Sequence, residues 1–271
     1  MKLKLLGTAA AEGWPGLYCA CNACQKAREL GGKNIRTRSS MMIDETVKID
    51  FPPDTYHHVL TYGIDLRKVR YLLITHNHDD HFLPADILYC ESPFVAGEPS
   101  PPFTVMGPKP VIDRFMPHRE NSNSPLTPLV LKPYVTVAME NWGFTPILAS
   151  HMNYGESYNY LVTKEGKTLL YASDTGWYSD ETWGFLTGRR IDFVVMECTS
   201  GGKETNYLGH LSITGLLKMR EKLMEIGAIQ SATPYIATHF SHNGGLLHHE
   251  LEARMNPHGV EVGYDGWEGE A

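Results

Sequence analysis

No apolar run in this sequence approaches the ~20 residues that a bilayer-spanning helix needs, so nothing in it predicts a membrane span. A surplus of positive charge is also missing. The 24 Lys and Arg are outnumbered by 31 Asp and Glu, leaving a formal charge of −7. That argues against non-specific binding to nucleic acid or anionic membranes, both of which want a basic face. Cysteine is scarce, and five is an odd number, so no disulfide framework is expected. The opening Met1-Lys-Leu-Lys-Leu-Leu-Gly7 has too short an apolar stretch for a signal peptide. It reads instead as a first strand, Leu3 to Leu6, turning at Gly7, in a cytoplasmic protein. What is present is ordinary: 42% hydrophobic and 20% charged residues, with a mean hydropathy of −0.27. A chain of 271 residues can bury one large core, and residues 1–271 are read as one domain.

Against that plain background one stretch stands out. Tyr71 to Ile74 is a run too short for a helix and right for a buried strand. Directly after Thr75 come His76, His78, Asp80 and His81, an H-x-H-x-D-H pattern. Imidazole nitrogens and carboxylate oxygens are ligands for zinc and similar dications. A solvated loop has no need of this spacing at a strand exit, so the pattern predicts a metal site.

The second half of the chain repeats the arrangement. Apolar runs lead into His151, Asp174, Cys198-Thr199 and His239. Any one of these could be a polar residue closing a strand. Together, His76, His78, Asp80, His81, His151, Asp174 and His239 are seven potential ligands at strand exits, where loops converge without disturbing a core. That inventory suits two metals sharing a bridging carboxylate and a bridging hydroxide. Cys19, Cys21 and Cys24 form C-x-C-x2-C, three thiols able to share one zinc, with a fourth ligand to come from elsewhere. A helix from Asn22 to Leu30, stopped by Gly31-Gly32, follows them. Ser212 reads as the N-cap of a helix closed by Gly227, with Ile213, Leu216, Leu217, Leu223 and Met224 facing the core. His210 therefore precedes a helix N-terminus, a place that favours anions such as phosphate, although an exposed or capping histidine would look the same.

Elsewhere, Ser39 to Asp50 predicts two short strands joined near Asp44-Glu45, and Leu83 to Tyr89 a short helix. The segment 91–133 contains Pro-rich stretches, 97–102 and 117–133, that read as irregular loops. His118 lies in this material. His57-His58, His248-His249, Glu250, Glu252 and His258 read as solvated surface.

Several motifs narrow the pattern further. Leu6-Gly7-Thr8, Glu12-Gly13, the cysteine triplet, Arg36-Thr-Arg38-Ser, Ser173-Asp174-Thr175, Thr238-His239-Phe-Ser-His242 and the tail Val260 to Gly266 join H-x-H-x-D-H. Taken together they resemble the metallo-β-lactamase fold over nearly the whole chain, and within it the PhnP-type phosphodiesterases of phosphonate breakdown. The resemblance implies an α/β (α+β) fold, an αββα sandwich of two mixed sheets flanked by helices. It implies that His76, His78 and His151 hold one metal and Asp80, His81 and His239 the other, with Asp174 bridging. Zn or Mn would fill these sites, with Fe a third candidate. Cys19, Cys21 and Cys24 match the family's structural zinc site, and His242 its fourth ligand. Asp80, itself a ligand, and His210, which would contact the phosphate or protonate the leaving group, are the expected catalytic residues. The activity implied is metal-dependent hydrolysis of a small phosphorylated substrate, such as phosphoribosyl 1,2-cyclic phosphate, by a metal-bridging hydroxide. A homodimer is implied, with neither nucleic acid nor membrane as partner. Asp50 is followed by Phe51-Pro52-Pro53 where the superfamily has a glycine, and segment 91–133 matches no family feature. Three alternatives are a metal oxygenase like that of pyrroloquinoline quinone biosynthesis, a tRNA-processing endonuclease, and a non-catalytic metal-stabilised binding module.

Overall fold

A computed structural model describes residues 1–98, 100–116, 124–151 and 157–271. Its strands are β1 (Lys2–Gly7), β2 (Ser40–Ile43), β3 (Val47–Ile49), β4 (Tyr71–Leu73), β5 (Phe103–Gly107), β6 (Leu126–Val130) and β7 (Val137–Met139), followed by β8 (Trp142–Leu148), β9 (Tyr158–Lys164), β10 (Lys167–Ala172), β11 (Phe193–Glu197), β12 (Tyr235–Thr238), β13 (Glu261–Val262) and β14 (Glu268–Glu270). Its helices are α1 (Asn22–Leu30), α2 (Thr55–Tyr62), α3 (Pro84–Ile87), α4 (Lys109–Phe115), α5 (Asp180–Leu186), α6 (Ile213–Glu225) and α7 (His248–Met255).

Strand alternation builds the layers. Along β10, Leu169 and Tyr171 enter the core between two sheets, while Leu170 and Ala172 enter the core beneath the helices. Both faces of the strand are buried, which is why it reads as a continuous apolar run. One sheet has the order β14-β1-β2-β3-β4-β5-β6 and the other β13-β12-β11-β10-β9-β8-β7. Both are mixed: β1 to β3 and β7 to β10 pair antiparallel, then β3 to β6 and β10 to β13 pair parallel. Leu3, Leu5, Met41, Val47 and Leu73 of the first sheet meet Phe144, Tyr160, Leu169, Val195 and Ile236 of the second. Helices cover the outer faces, with Leu216, Met219 and Leu223 of α6 against the second sheet and Val111, Ile112 and Phe115 of α4 against the first. This is the αββα sandwich expected.

The two sheets are stitched together where β4 ends. The Thr75 carbonyl accepts from the Tyr158 N–H at 2.9 Å, and the Ile74 carbonyl from the Tyr160 hydroxyl at 2.6 Å. The exit of β4 is thereby fixed against the other sheet, next to the exits of β8, β10 and β12.

Three expectations need correction. The stretch 117–133 is not all loop, because it holds β6, which extends the first sheet by parallel pairing with β5. Pro128 is admissible inside β6 because that strand is the sheet's edge, where a missing N–H costs little. The helix after His81 is a single turn, α3, continued by a 3₁₀ turn over Leu88–Cys90. His58 and His248 are buried rather than solvated. Each fills an inward position on its helix, at i, i+3, i+7 spacing with Thr55 and Tyr62 or with Leu251 and Met255. His118 lies outside the described residues.

Candidate metal centre

All seven His and Asp residues named from the sequence converge. His76, His78, His151 and Asp174 form one group, and Asp80, His81, Asp174 and His239 a second, each with its candidate ligand atoms within 4.8 Å of one another. Asp174 belongs to both. Its Oδ1 lies 2.8 Å from His239 Nε2 and 3.2 Å from His81 Nε2. Its Oδ2 faces the other way, 3.5 Å from His151 Nε2 and 3.7 Å from His76 Nε2. Between these rings, His76 Nε2 lies 2.9 Å from His78 Nδ1, and His81 Nε2 3.2 Å from His239 Nε2.

The far nitrogen of four rings is tied down. Asp50 Oδ2 lies 2.7 Å from His81 Nδ1, and the Gly209 carbonyl accepts from His151 Nδ1 at 3.1 Å. The Thr75 hydroxyl donates to Asp50, so at 3.0 Å from His76 Nδ1 it is left to accept. The Thr199 hydroxyl likewise donates to Glu197 and accepts from His239 Nδ1 at 2.8 Å. Each of these rings therefore turns its Nε2 inward, the orientation that outer hydrogen bonds impose on metal-ligating histidines.

The charges fit a cation. Burial opposes charge on His239, yet the Asp174 carboxylate holds it up at about 10. His81 is raised against burial by Asp174, Asp80 and Asp50. Burial likewise works against the Asp80 and Asp174 carboxylates, but the neighbouring His81 and His239 keep both below the usual carboxylate range. His76, buried beside His81, is pushed well below its ordinary value. Two carboxylates here hold protons on rings that already converge, and a dication would displace those protons. The residues present thus fit divalent metal.

Around this group lies a further layer, in which the sequence reading gave a role to His210 alone. Glu197, fully buried at the end of β11, accepts from the backbone N–H groups of Thr175, Thr199 and Leu211, from the Thr199 hydroxyl, and from His210 Nδ1 at 2.7 Å. His210 stands 4.7 Å from His151 and 5.8 Å from His239, ring centre to ring centre. Burial opposes its charged form, and Glu197 raises it nonetheless. Asp50, which the sequence marked only as a departure, binds Thr75 and His81 from behind. Asp50, Asp174 and His239 all have left-handed backbone, with φ of 60°, 45° and 56°.

The cysteine triplet also gathers its partner. His242, in a 3₁₀ turn four positions past the end of β12, has Nδ1 at 3.7 Å from Cys19 Sγ and 3.6 Å from Cys21 Sγ. Tetrahedral zinc with Zn–S of ~2.3 Å and Zn–N of ~2.0 Å implies an S···N edge of about 3.5 Å, so the spacing fits. The Cys24 N–H lowers the Cys21 thiol to about 6, while burial drives Cys24 up to about 12. Without a cation these two sulfurs would carry different charge.

Residues 50–248 match the Beta-lactamase superfamily domain, a span that contains all seven His and Asp residues. The chain belongs to the metallo-β-lactamase superfamily. Its members include hydrolases and nucleases built on this fold. Ribonuclease Z of Staphylococcus aureus is 33% identical over 118 residues, 42% of this chain and 37% of that protein, so the match spans little more than a third of the relative. Among solved structures, a diphosphatase of the PhnP family aligns with a TM-score of 0.77 at 21% identity, over 100% of this chain and 97% of that one. Zn(2+)-bound PqqB from Methylobacterium extorquens gives 0.80 at 17% identity over the full length of both. Human tRNase Z, short form, gives 0.65 at 16% identity over 100% and 99%. These likenesses carry the fold. No helix among the described residues is long and apolar enough to cross a membrane.

Proposed function

We propose that this superfamily member is a dinuclear-metal-dependent phosphodiesterase acting on a small linear or cyclic phosphodiester, of which phosphoribosyl 1,2-cyclic phosphate is the one the sequence motifs suggest. One observation carries the reading: the two oxygens of Asp174 face two separate sets of inward-turned imidazoles. A single structural ion has no use for that division. His76, His78 and His151 would hold one ion, Asp80, His81 and His239 the other, and Cys19, Cys21, Cys24 and His242 a structural zinc. When bound, the pair of dications supplies a water acidified towards neutrality and positive charge for the phosphoryl oxygens.

The chain's own residues do the rest. The carboxylate of Asp80, 3.1 Å from His81 Nε2, is placed to accept a hydrogen bond from the attacking water. Glu197 holds a proton on His210 Nδ1, so Nε2 is the nitrogen turned to the substrate. There it donates to a phosphoryl or departing oxygen, a contribution of about a hundredfold or more. Thr199 and Thr75 keep His239 and His76 from rotating.

A second reading, a tRNA-processing endonuclease, draws support from the 118-residue similarity to ribonuclease Z, against which stands the net charge of −7. The test is metal analysis of the purified protein, paired with turnover of bis-p-nitrophenyl phosphate, cyclic phosphodiesters and a precursor tRNA. About three metals per chain with turnover of the small diesters supports the proposal. Cleavage of the tRNA alone transfers it to the second reading, and one metal with no turnover of any substrate ends both.

A further inference from the structure

Beside His151 and His210 the surface opens into two adjoining cavities of about 400 and 390 Å³, a size that accommodates a small organic ligand. Ser150, Tyr207 and Leu208 line both, and Trp177, Glu204 and His210 are among the other residues of the first. Two large aromatic rings are thus left in water next to the candidate centre, with Trp177 47% and Tyr207 51% exposed. Exposed aromatics on a soluble protein call for a reason when they share one concave surface with a site.

Neither ring is loose. Trp177 leans on buried Trp183, ring centres 5.0 Å apart. The Tyr207 hydroxyl donates to the His151 carbonyl at 3.3 Å, and its ring lies so close over Gly209 that a Cβ there would fall 2.7 Å from it. The two supporting loops are locked together, because a Cβ on Gly176 would meet the Leu208 carbonyl oxygen at 1.6 Å. Rings held this way offer contact area at little entropic cost.

Charge decides what they would touch. Among the described lining residues there is no Lys or Arg. Glu204, which accepts from Ser212 through both carboxylate oxygens, supplies the acidic group. With His210 taken up by the phosphate at the metal centre, a second phosphate entering here would meet a carboxylate and no Lys or Arg. A flat, neutral ring bearing N–H donors meets aromatic faces and an acceptor. We infer that Trp177 and Tyr207 form a specificity pocket for the nucleobase of a nucleoside phosphodiester whose phosphate lies at the metal centre. The inference rests on the phosphodiesterase reading and replaces a doubly phosphorylated sugar by a nucleoside as the substrate class.

The test compares adenosine 2′,3′-cyclic phosphate with the base-free methyl riboside 2,3-cyclic phosphate, using the metal-loaded full chain. The wild type should prefer the nucleoside. In Trp177→Ala the ratio of the two kcat/KM values should fall about tenfold, the size of one lost base–aromatic stack, mainly through KM for the nucleoside. Trp177→Phe should keep most of the preference. Independently of turnover, AMP should quench tryptophan emission saturably in the wild type and markedly less in Trp177→Phe. Equal kcat/KM for the two substrates in the wild type, or an unchanged ratio in Trp177→Ala, overturns the pocket. If no diester is turned over but the quenching difference is found, the hydrolase reading falls while base binding stands.

Discussion

The two sheets follow the same plan and carry different chemistry. Written from one edge, β14-β1-β2-β3-β4-β5-β6 and β7-β8-β9-β10-β11-β12-β13 each contain three antiparallel pairings and then three parallel ones. In this correspondence β3 answers to β10 and β4 to β11. Just beyond β3 stands Asp50, and just beyond β10 stands Asp174; both are buried, both have left-handed backbone, and both reach His81. Yet Asp174 lies among the converging imidazoles, whereas Asp50 holds His81 from behind. The first sheet delivers four candidate ligands from one exit, β4. The second delivers its three from β8, β10 and β12, and spends the exit of β11 on Glu197 and Thr199, which support the rest. A shared backbone plan therefore sets where side chains can converge, and the residue at each exit decides whether it acts on a ligand or on a neighbour.

That contrast can be broken by substitution. Asp174→Asn should cut turnover of bis-p-nitrophenyl phosphate by at least about a thousandfold and reduce bound metal, since it weakens a carboxylate common to both groups. Asp50→Asn removes only the charge behind His81, and a loss of about 10- to 100-fold in activity or metal affinity is expected; equal losses in the two variants would abolish the distinction. Cys21→Ser acts elsewhere. It should lower the melting temperature by on the order of 10 °C, as about 3 kcal/mol would in a chain of this size, and release one zinc, with kcat of the folded fraction changed only a few-fold.

The smallest effect is a pH slope. Burial holds His58 down at about 2 and His248 down at about 4. The Thr37 hydroxyl donates to Asp265 and so accepts from His58 Nε2, leaving His58 Nδ1 buried with no partner for a further proton. Between about pH 6.5 and 4 the unfolded chain binds protons that the folded chain refuses. Stability is then complete above pH 6.5 and falls as pH drops, by up to about 1.4 kcal/mol per pH unit for each histidine. Urea unfolding from pH 7 to 5 should show this slope, and His58→Asn should flatten it by roughly half.

How much of this could be read in advance depended on position along a strand. A His or Asp immediately after an apolar run announces itself, so the seven residues of the pocket were visible without coordinates. Glu197 was not, because it is the last residue of Phe193-Val-Val-Met-Glu197 and looks like a strand closing in solvent. Only the packing of Thr175, Thr199, His210 and Leu211 around it shows its role. Asp50 was hidden because Lys48 interrupts the apolar run that leads to it. His58 and His248 were misread through their exposed neighbours, His57 and His249, although the i, i+3, i+7 spacing on each helix was present in the sequence. Strand β6 was masked by Pro128, at a sheet edge that tolerates it.

The left-handed turns at positions 50, 174 and 239 also limit how this protein can drift. A side chain branched at Cβ, or even a plain methyl, fits that backbone poorly, whereas Asn, Asp, His and Gly enter it at modest cost. At those three positions the backbone disfavours valine, isoleucine and threonine before any chemistry is asked of the side chain. The shape of the pocket is therefore written partly in the turns that carry it, and not only in the ligand atoms those turns present.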